Sequence, residues 1–277
     1  GCFLDMGRAL RFIEARLLPR GWLDLIRQIL LFLGALLSYD LVRGLVSDGN
    51  PYKPFGDAMR IIDVERTLHV FIEPSVQAWA LHVHWLIDGA DWVYLNGHLG
   101  VTFLVLVFIY ARRNKSFYFV RNMFMISMGL ALIGFWLYPT APPRLMPEWG
   151  FTDAISQFVT GGTGSVDSGP TKAFINFDAA VPSMHVCFAV MIGGSMCRLT
   201  RWRPGKVLWA LYPLVITFVV VATANHFLTD VFLGALTAGA SALLAERLLA
   251  RARPDVWAFS PTRVDRLTMG GRSPSTA

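Results

Sequence analysis

Apolar residues run along this chain in long blocks, without the short alternations of a soluble amphipathic fold, and a bilayer-spanning helix needs about 20 such residues. Six blocks qualify: Trp22 to Val46, Asp88 to Tyr110, Phe117 to Tyr138, Ser183 to Leu199, Val207 to Ala224 and Phe227 to Leu249. The first carries Asp24, Arg27, Asp40 and Arg43 near its ends, a pattern that an interfacial helix also shows. Between the first two blocks, Ile61, Val64, Leu68, Phe71 and Ile72 recur at helical spacing. Pro74 then starts a second short helix, so segment 58–86 reads as amphipathic, lying in the membrane interface or packing on the outer face. A stretch of more than 40 residues rich in Pro and Gly follows the third block, and connections that long are functional or disordered. In the last block Gly234, Ala235, Ala238 and Gly239 allow close helix packing.

The cations set the orientation. Arg8/Arg11/Arg16/Arg20, Arg112/Arg113/Lys115/Arg121, Arg198/Arg201/Arg203/Lys206 and Arg247/Arg251/Arg253 all fall on one side of a six-span chain, which the positive-inside bias makes cytoplasmic. The other side receives 47–87, 139–182 and the tight link at Asn225. Composition agrees: of 277 residues 54% are hydrophobic and 16% charged, against about 25% charged in soluble domains, which excludes a disordered chain and an ordinary soluble domain. The net charge of +6 therefore serves topology and not nucleic acid. Cys2, Cys187 and Cys197 are odd in number and lack CxxC spacing, so they read as small core residues, not as a disulfide or zinc framework. No cleavable signal peptide is expected before the first span. The arginine bias and the lack of sorting signals point to a bacterial plasma membrane.

Two clusters carry chemistry. Pro182-Ser183-Met184-His185 combines a helix start, whose N–H groups attract anions, with a hydroxyl and a proton donor; Pro182 is expected in the first turn. Asn225-His226-Phe227-Leu228-Thr229-Asp230 places His226 and Asp230 four apart on one helix face, where the carboxylate can hold one imidazole nitrogen and leave the other as base or nucleophile. By span parity both clusters reach the same membrane face. The connection 139–182 adds two cations: Arg144, on the stiff run Tyr138-Pro139-Thr140-Ala141-Pro142-Pro143, suits bidentate phosphate binding, and Lys172 is the other. Tyr94 and His98, four apart in the second span, would line a cavity or bond between helices. His69, His82 and His84 read as structural or solvated.

These motifs resemble the second and third signatures of the type 2 phosphatidic acid phosphatase superfamily, over about Val93 to Gly239. The Tyr138–Pro143 run is similar to the inositol phosphorylceramide synthase branch, whose members are inositolphosphotransferases. The resemblance implies a metal-independent double displacement. His226 would be the nucleophile, Asp230 its orienting partner and His185 the acid. Arg144, Ser183 and the helix start would hold the phosphoryl oxygens, with Lys172, Tyr94, His98 and Asn225 as further substrate contacts. The chain departs from the phosphatase pattern in three places: Val219-Val220 stand where that motif has Ser-Arg, Pro143-Arg144 replace the long first motif, and Met184 stands for Gly. These departures favour the transferase branch.

The expectation is thus an all-α integral membrane protein. It is a six-transmembrane-helix bundle with an extracytoplasmic amphipathic helix and loop, one catalytic domain over 1–254 and a disordered cytoplasmic tail over 255–277. Its substrate would be a phosphorylated lipid among membrane lipids, with no metal, cofactor or nucleic acid. A lipid phosphatase, a metal enzyme built on two histidines and a carboxylate, and a transporter or scaffold are the rival readings.

Overall fold

The structure, a computed structural model, describes residues 18–46, 52–160 and 180–260. Every regular element among them is helical. In chain order these are α1 (Gly21–Val46), α2 (Lys53–Thr67), α3 (Glu73–Leu81), α4 (His84–Arg112), α5 (Asn114–Leu137), α6 (Ala154–Thr160), α7 (Met184–Leu199), α8 (Arg203–Ala222), α9 (Leu228–Ala250) and α10 (Pro254–Trp257). Five of them, α1, α4, α5, α8 and α9, are long and apolar enough to cross a membrane.

The fourth expected span, α7, has only 16 residues, or about 24 Å at 1.5 Å per residue, against a hydrocarbon core of about 30 Å. It sits inside the bundle, packed on α4, α5, α8 and α9. Its last carbonyl, on Leu199, accepts from Arg113 at 3.5 Å, which fixes that end at the basic side. The opposite end, bearing Ser183 and His185, is therefore recessed below the far surface. The core around it joins Ile109, Phe117, Val120, Phe124, Cys187 and Ile192, while Phe103, Leu104, Leu208, Leu214 and Phe232 are exposed, as a lipid-facing surface requires. The two described cysteines, Cys187 and Cys197, are free thiols.

Helix α1 is docked through its charges. Asp24 accepts from the Tyr110 hydroxyl at 3.1 Å and the Tyr118 hydroxyl at 2.7 Å, and Gln28 links it to Arg121. The residues after Pro254 fold back: Val256, Trp257 and Phe259 pack on the main core, and the Ser116 hydroxyl bonds the Ser260 main chain. The rest of the expected tail, 261–277, lies outside the described residues.

Helices α2 and α3 differ from the expected stripe. Helix α2 ends at Thr67, and His69 takes a left-handed turn (φ 58°), so Phe71 and Ile72 lie beyond it. Its buried face is Asp57, Ala58, Ile61, Ile62 and Glu65, whereas Val64 and Leu68 are exposed. This face covers the far end of the bundle, clustering with Ala141, Met146, Phe151, Val181, Ala224 and Phe227. Hydrogen bonds stitch it down: Ala141 N–H to Pro54 O at 3.0 Å, the Tyr138 hydroxyl to Asp57 O at 3.1 Å, and a two-way clasp between the Gln77 amide and the Thr152 main chain.

Glycine sets the closest helix approach. A Cβ on Gly234 would lie 2.4 Å from the Ser183 carbonyl oxygen, so α9 meets the start of α7 only because residue 234 has no side chain. Gly239, one turn on, faces open space. Gly234→Ala should therefore destabilise the protein by about 1–3 kcal/mol, as overpacking does, and Gly239→Ala should not. Thermal unfolding of the two purified variants in detergent checks this, and equal melting temperatures would contradict it.

Candidate active site

All the described site residues meet at the end of the bundle opposite the basic clusters. The chain arrives there through a strained turn. Beyond α8, Ala224 is fully buried with φ 50°, a left-handed conformation costly for a residue with a Cβ. The reversal lets the N–H groups of Asn225 and His226 both return to Val220 O, at 2.9 and 3.3 Å. His226 then emerges just before α9 begins.

Its Nδ1 lies 3.4 Å from Asp230 Oδ2. That is longer than a made hydrogen bond, and catalytic contacts of this kind commonly tighten on substrate binding. Asp230 is fully buried and its Oδ2 also accepts the Phe227 N–H at 2.9 Å, so the carboxylate is held by the same helix start that it serves. With Nδ1 facing Asp230, Nε2 is the ring nitrogen turned away from the carboxylate.

His185 stands across from it, ring centroids 5.9 Å apart. Helix α7 begins one residue later than expected: Ser183 is the N-cap, its hydroxyl accepting Val186 N–H at 3.4 Å, and Pro182 precedes the cap, outside the first turn. The Ser183 N–H donates to Asp230 O at 3.1 Å, which joins the two histidine motifs through the main chain.

The wall behind His185 comes from α4. Residues Val93–Gly97 form a π turn, a widening that recurs at functional sites. The His185 imidazole hydrogen-bonds the Tyr94 main chain there, and the Tyr94 ring stacks on it at 4.3 Å. His98 is buried 5.3 Å from the His185 ring, with Nδ1 2.8 Å from the Tyr212 hydroxyl of α8.

Arg144 is 4% exposed. Its main-chain N–H donates to Ala224 O at 2.8 Å, its Nε to Asn225 Oδ1 at 3.0 Å, and its Nη1 to Asp153 Oδ2 at 3.3 Å. Asn225 spends its NH₂ on Thr223, at 2.7 Å to the hydroxyl and 3.2 Å to the carbonyl. Asn225 thus aims the guanidinium. Lys172 lies outside the described residues.

Sequence reasoning missed Asp153, which holds one arm of Arg144, and Tyr212, which holds His98. It also missed Glu65 and Glu73, whose carboxylates reach the first N–H groups of α9. The one signal for Glu65 was its place on the Ile61 face of α2, one turn on. Among the described residues no group of three His, Cys, Asp or Glu side chains is arranged to hold a metal ion.

A family model described as PAP2 superfamily matches residues 59–244, about two thirds of the chain. The match starts within α2 and ends within α9, so it takes in every described residue of the site. No curated protein and no solved structure matches.

Burial lowers the His226 pKa to about 4; a hydrogen bond with the Ala180 main chain opposes this and the nearby Arg144 cation adds to it. The imidazole should therefore stay neutral down to about pH 4 in a ¹⁵N-histidine titration. Arg144→Gln should raise that value, because a cation disfavouring imidazolium is gone. Titration of His226 near the ordinary 6.5 would contradict the burial described here.

Proposed function

The chain belongs to the PAP2 superfamily of phosphatases and phosphotransferases, and we propose that it is a lipid phosphotransferase that moves a phospho-headgroup between lipid-linked substrates through a phosphohistidine. The observation that carries this is the facing pair of imidazoles, 5.9 Å apart, with a buried carboxylate behind one and a guanidinium fixed beside them.

In the first half-reaction His226 Nε2 attacks the donor phosphorus. The P–N bond forms as the P–O bond to the leaving alcohol breaks, and His185 gives that oxygen its proton. In the second, His185 takes a proton from the acceptor hydroxyl. The freed oxygen attacks phosphorus, and the P–N electron pair returns to His226. Asp230 stabilises the imidazolium character that His226 gains in between. Arg144 binds the non-bridging oxygens as a planar fork, and the start of α7 adds its dipole. Lys172, Tyr94 and His98 complete the substrate contacts, while Ser183 and Asn225 act through the helix cap and Arg144.

Two features favour transfer over hydrolysis. Arg144 and His226 are only 4% and 5% exposed, which keeps the phosphohistidine from bulk water. The Tyr138–Pro143 run, with its inositol phosphorylceramide synthase-like pattern, supports inositol phosphate as the headgroup. The cation asymmetry supports an extracytoplasmic site in a plasma membrane.

Purified enzyme incubated with a lipid extract, its products read by mass spectrometry, tests this. A headgroup phosphate moved onto a second lipid is the expected result, with Arg144→Lys about 10²-fold slower while still folded. Release to water alone would make the enzyme a lipid phosphatase.

A further inference from the structure

Glu65 of α2 and Glu73 of α3 are among the most buried ionisable groups outside the spans, at 1% and 0% exposure. Neither has a place in the mechanism above. Glu73 Oε1 accepts the Leu228 N–H at 2.8 Å; Glu65 Oε1 accepts both the Thr229 N–H and the Thr229 hydroxyl at 2.7 Å. With Phe227 N–H on Asp230, three successive N–H groups at the start of α9 are held by three carboxyl groups from three helices. The two glutamates hold adjacent N–H groups, Leu228 and Thr229, and the second oxygen of each, Oε2, is buried without a partner. Among the described residues no Lys or Arg pairs with either.

We infer that Glu65 and Glu73 share one proton and act as a positioning clamp: together they carry a single negative charge, grip the first turn of α9, and so fix Asp230 against His226. The inference rests on the nucleophilic role of His226, whose geometry it explains. Two carboxylates in contact and out of water cannot both ionise, and a proton between the orphaned oxygens satisfies both. The single remaining charge complements the positive end of the α9 dipole. The clamp also explains why Glu65 is turned inward on the same buried face as Ile61 and Ile62.

The clamp is pH-sensitive in one direction. The ionisable groups facing Glu73 are Glu65 from α2 and, beyond it, Asp230 from α9, all acidic; on the α6 side Glu73's own helix presents the neutral Gln77–Thr152 clasp. Burial, and then the neighbouring Glu65, raise the Glu73 pKa to about 8. Below that pH the shared proton is present. Above it the pair becomes doubly negative, the carboxyls repel and the start of α9 loosens.

Two measurements on the full-length enzyme test this. Infrared difference spectra between wild type and Glu73→Gln should show, at pH 6.5, the carbonyl stretch of a protonated carboxylic acid, disappearing as the pH passes about 8. No such band at pH 6.5 overturns the shared proton, whatever the enzyme acts on. In kinetics with phosphatidylinositol as donor and an isotopically labelled diacylglycerol as acceptor, read as label entering phosphatidylinositol, Glu73→Ala should lower kcat about 10–100-fold with KM within about twofold. Glu73→Gln, which keeps the acceptor oxygen and supplies its own hydrogen, should recover most of that loss and remove the alkaline fall in kcat. An unchanged kcat in Glu73→Ala, or an alkaline limb that persists in Glu73→Gln, overturns the clamp. Absence of any turnover by wild type would count against the transferase reading, and the infrared result would still decide the pair.

Discussion

The structure depends on the cost of leaving main-chain N–H groups unmade at the start of α9, deep in an apolar bundle. A helix beginning there exposes its first donors with no water to take them. The chain answers with carboxylates: Asp230 on Phe227, Glu73 on Leu228, Glu65 on Thr229. Two of the three come from α2 and α3, which must therefore fold over this end of the bundle. The aromatic cluster of Phe71, Phe151 and Phe227 packs where those elements meet.

The chemistry uses what this packing creates. One of the three carboxylates is within 3.4 Å of His226. Burial keeps that imidazole neutral at working pH, and in the proposed mechanism the same burial would strengthen its interactions with a phosphate held by Arg144. His185 is served differently: its partners are the Tyr94 main chain and ring, on a π turn of α4. In the proposed mechanism the nucleophile His226 would have a carboxyl partner and the acid His185 a main-chain and aromatic one, which suits a group that forms a cationic adduct and a group that must give up its proton.

Much of this was legible in the sequence. The apolar blocks gave the helices to within a few residues, because lipid tolerates nothing else at that length. The spacing of Pro182-Ser183-Met184-His185 and of His226 to Asp230 pointed to the candidate site, although His226 lies just before the N-cap of α9 and not on the expected helix face, and Arg144 stood out among prolines. What stayed hidden depends on contacts across the chain. Glu65 and Glu73 carried little local signal, since their partners lie 164 and 155 residues away. The faces of α2 are mixed: Val64 and Leu68 face out, while Asp57 and Glu65 are buried beside Ile61 and Ile62. Helix α7 differs from its expected bounds, Ser183 to Leu199, by only the one residue that caps it.

The central claim is that His226 forms a bond to phosphorus, and the configuration at phosphorus reports on it directly. A donor lipid with one non-bridging oxygen replaced by sulfur, supplied as a single diastereomer, passes through two in-line displacements if His226 is the nucleophile. The transferred product should then show net retention of configuration. Net inversion would mean one direct displacement by the acceptor, with His226 acting as a base, and would contradict the account at its central residue.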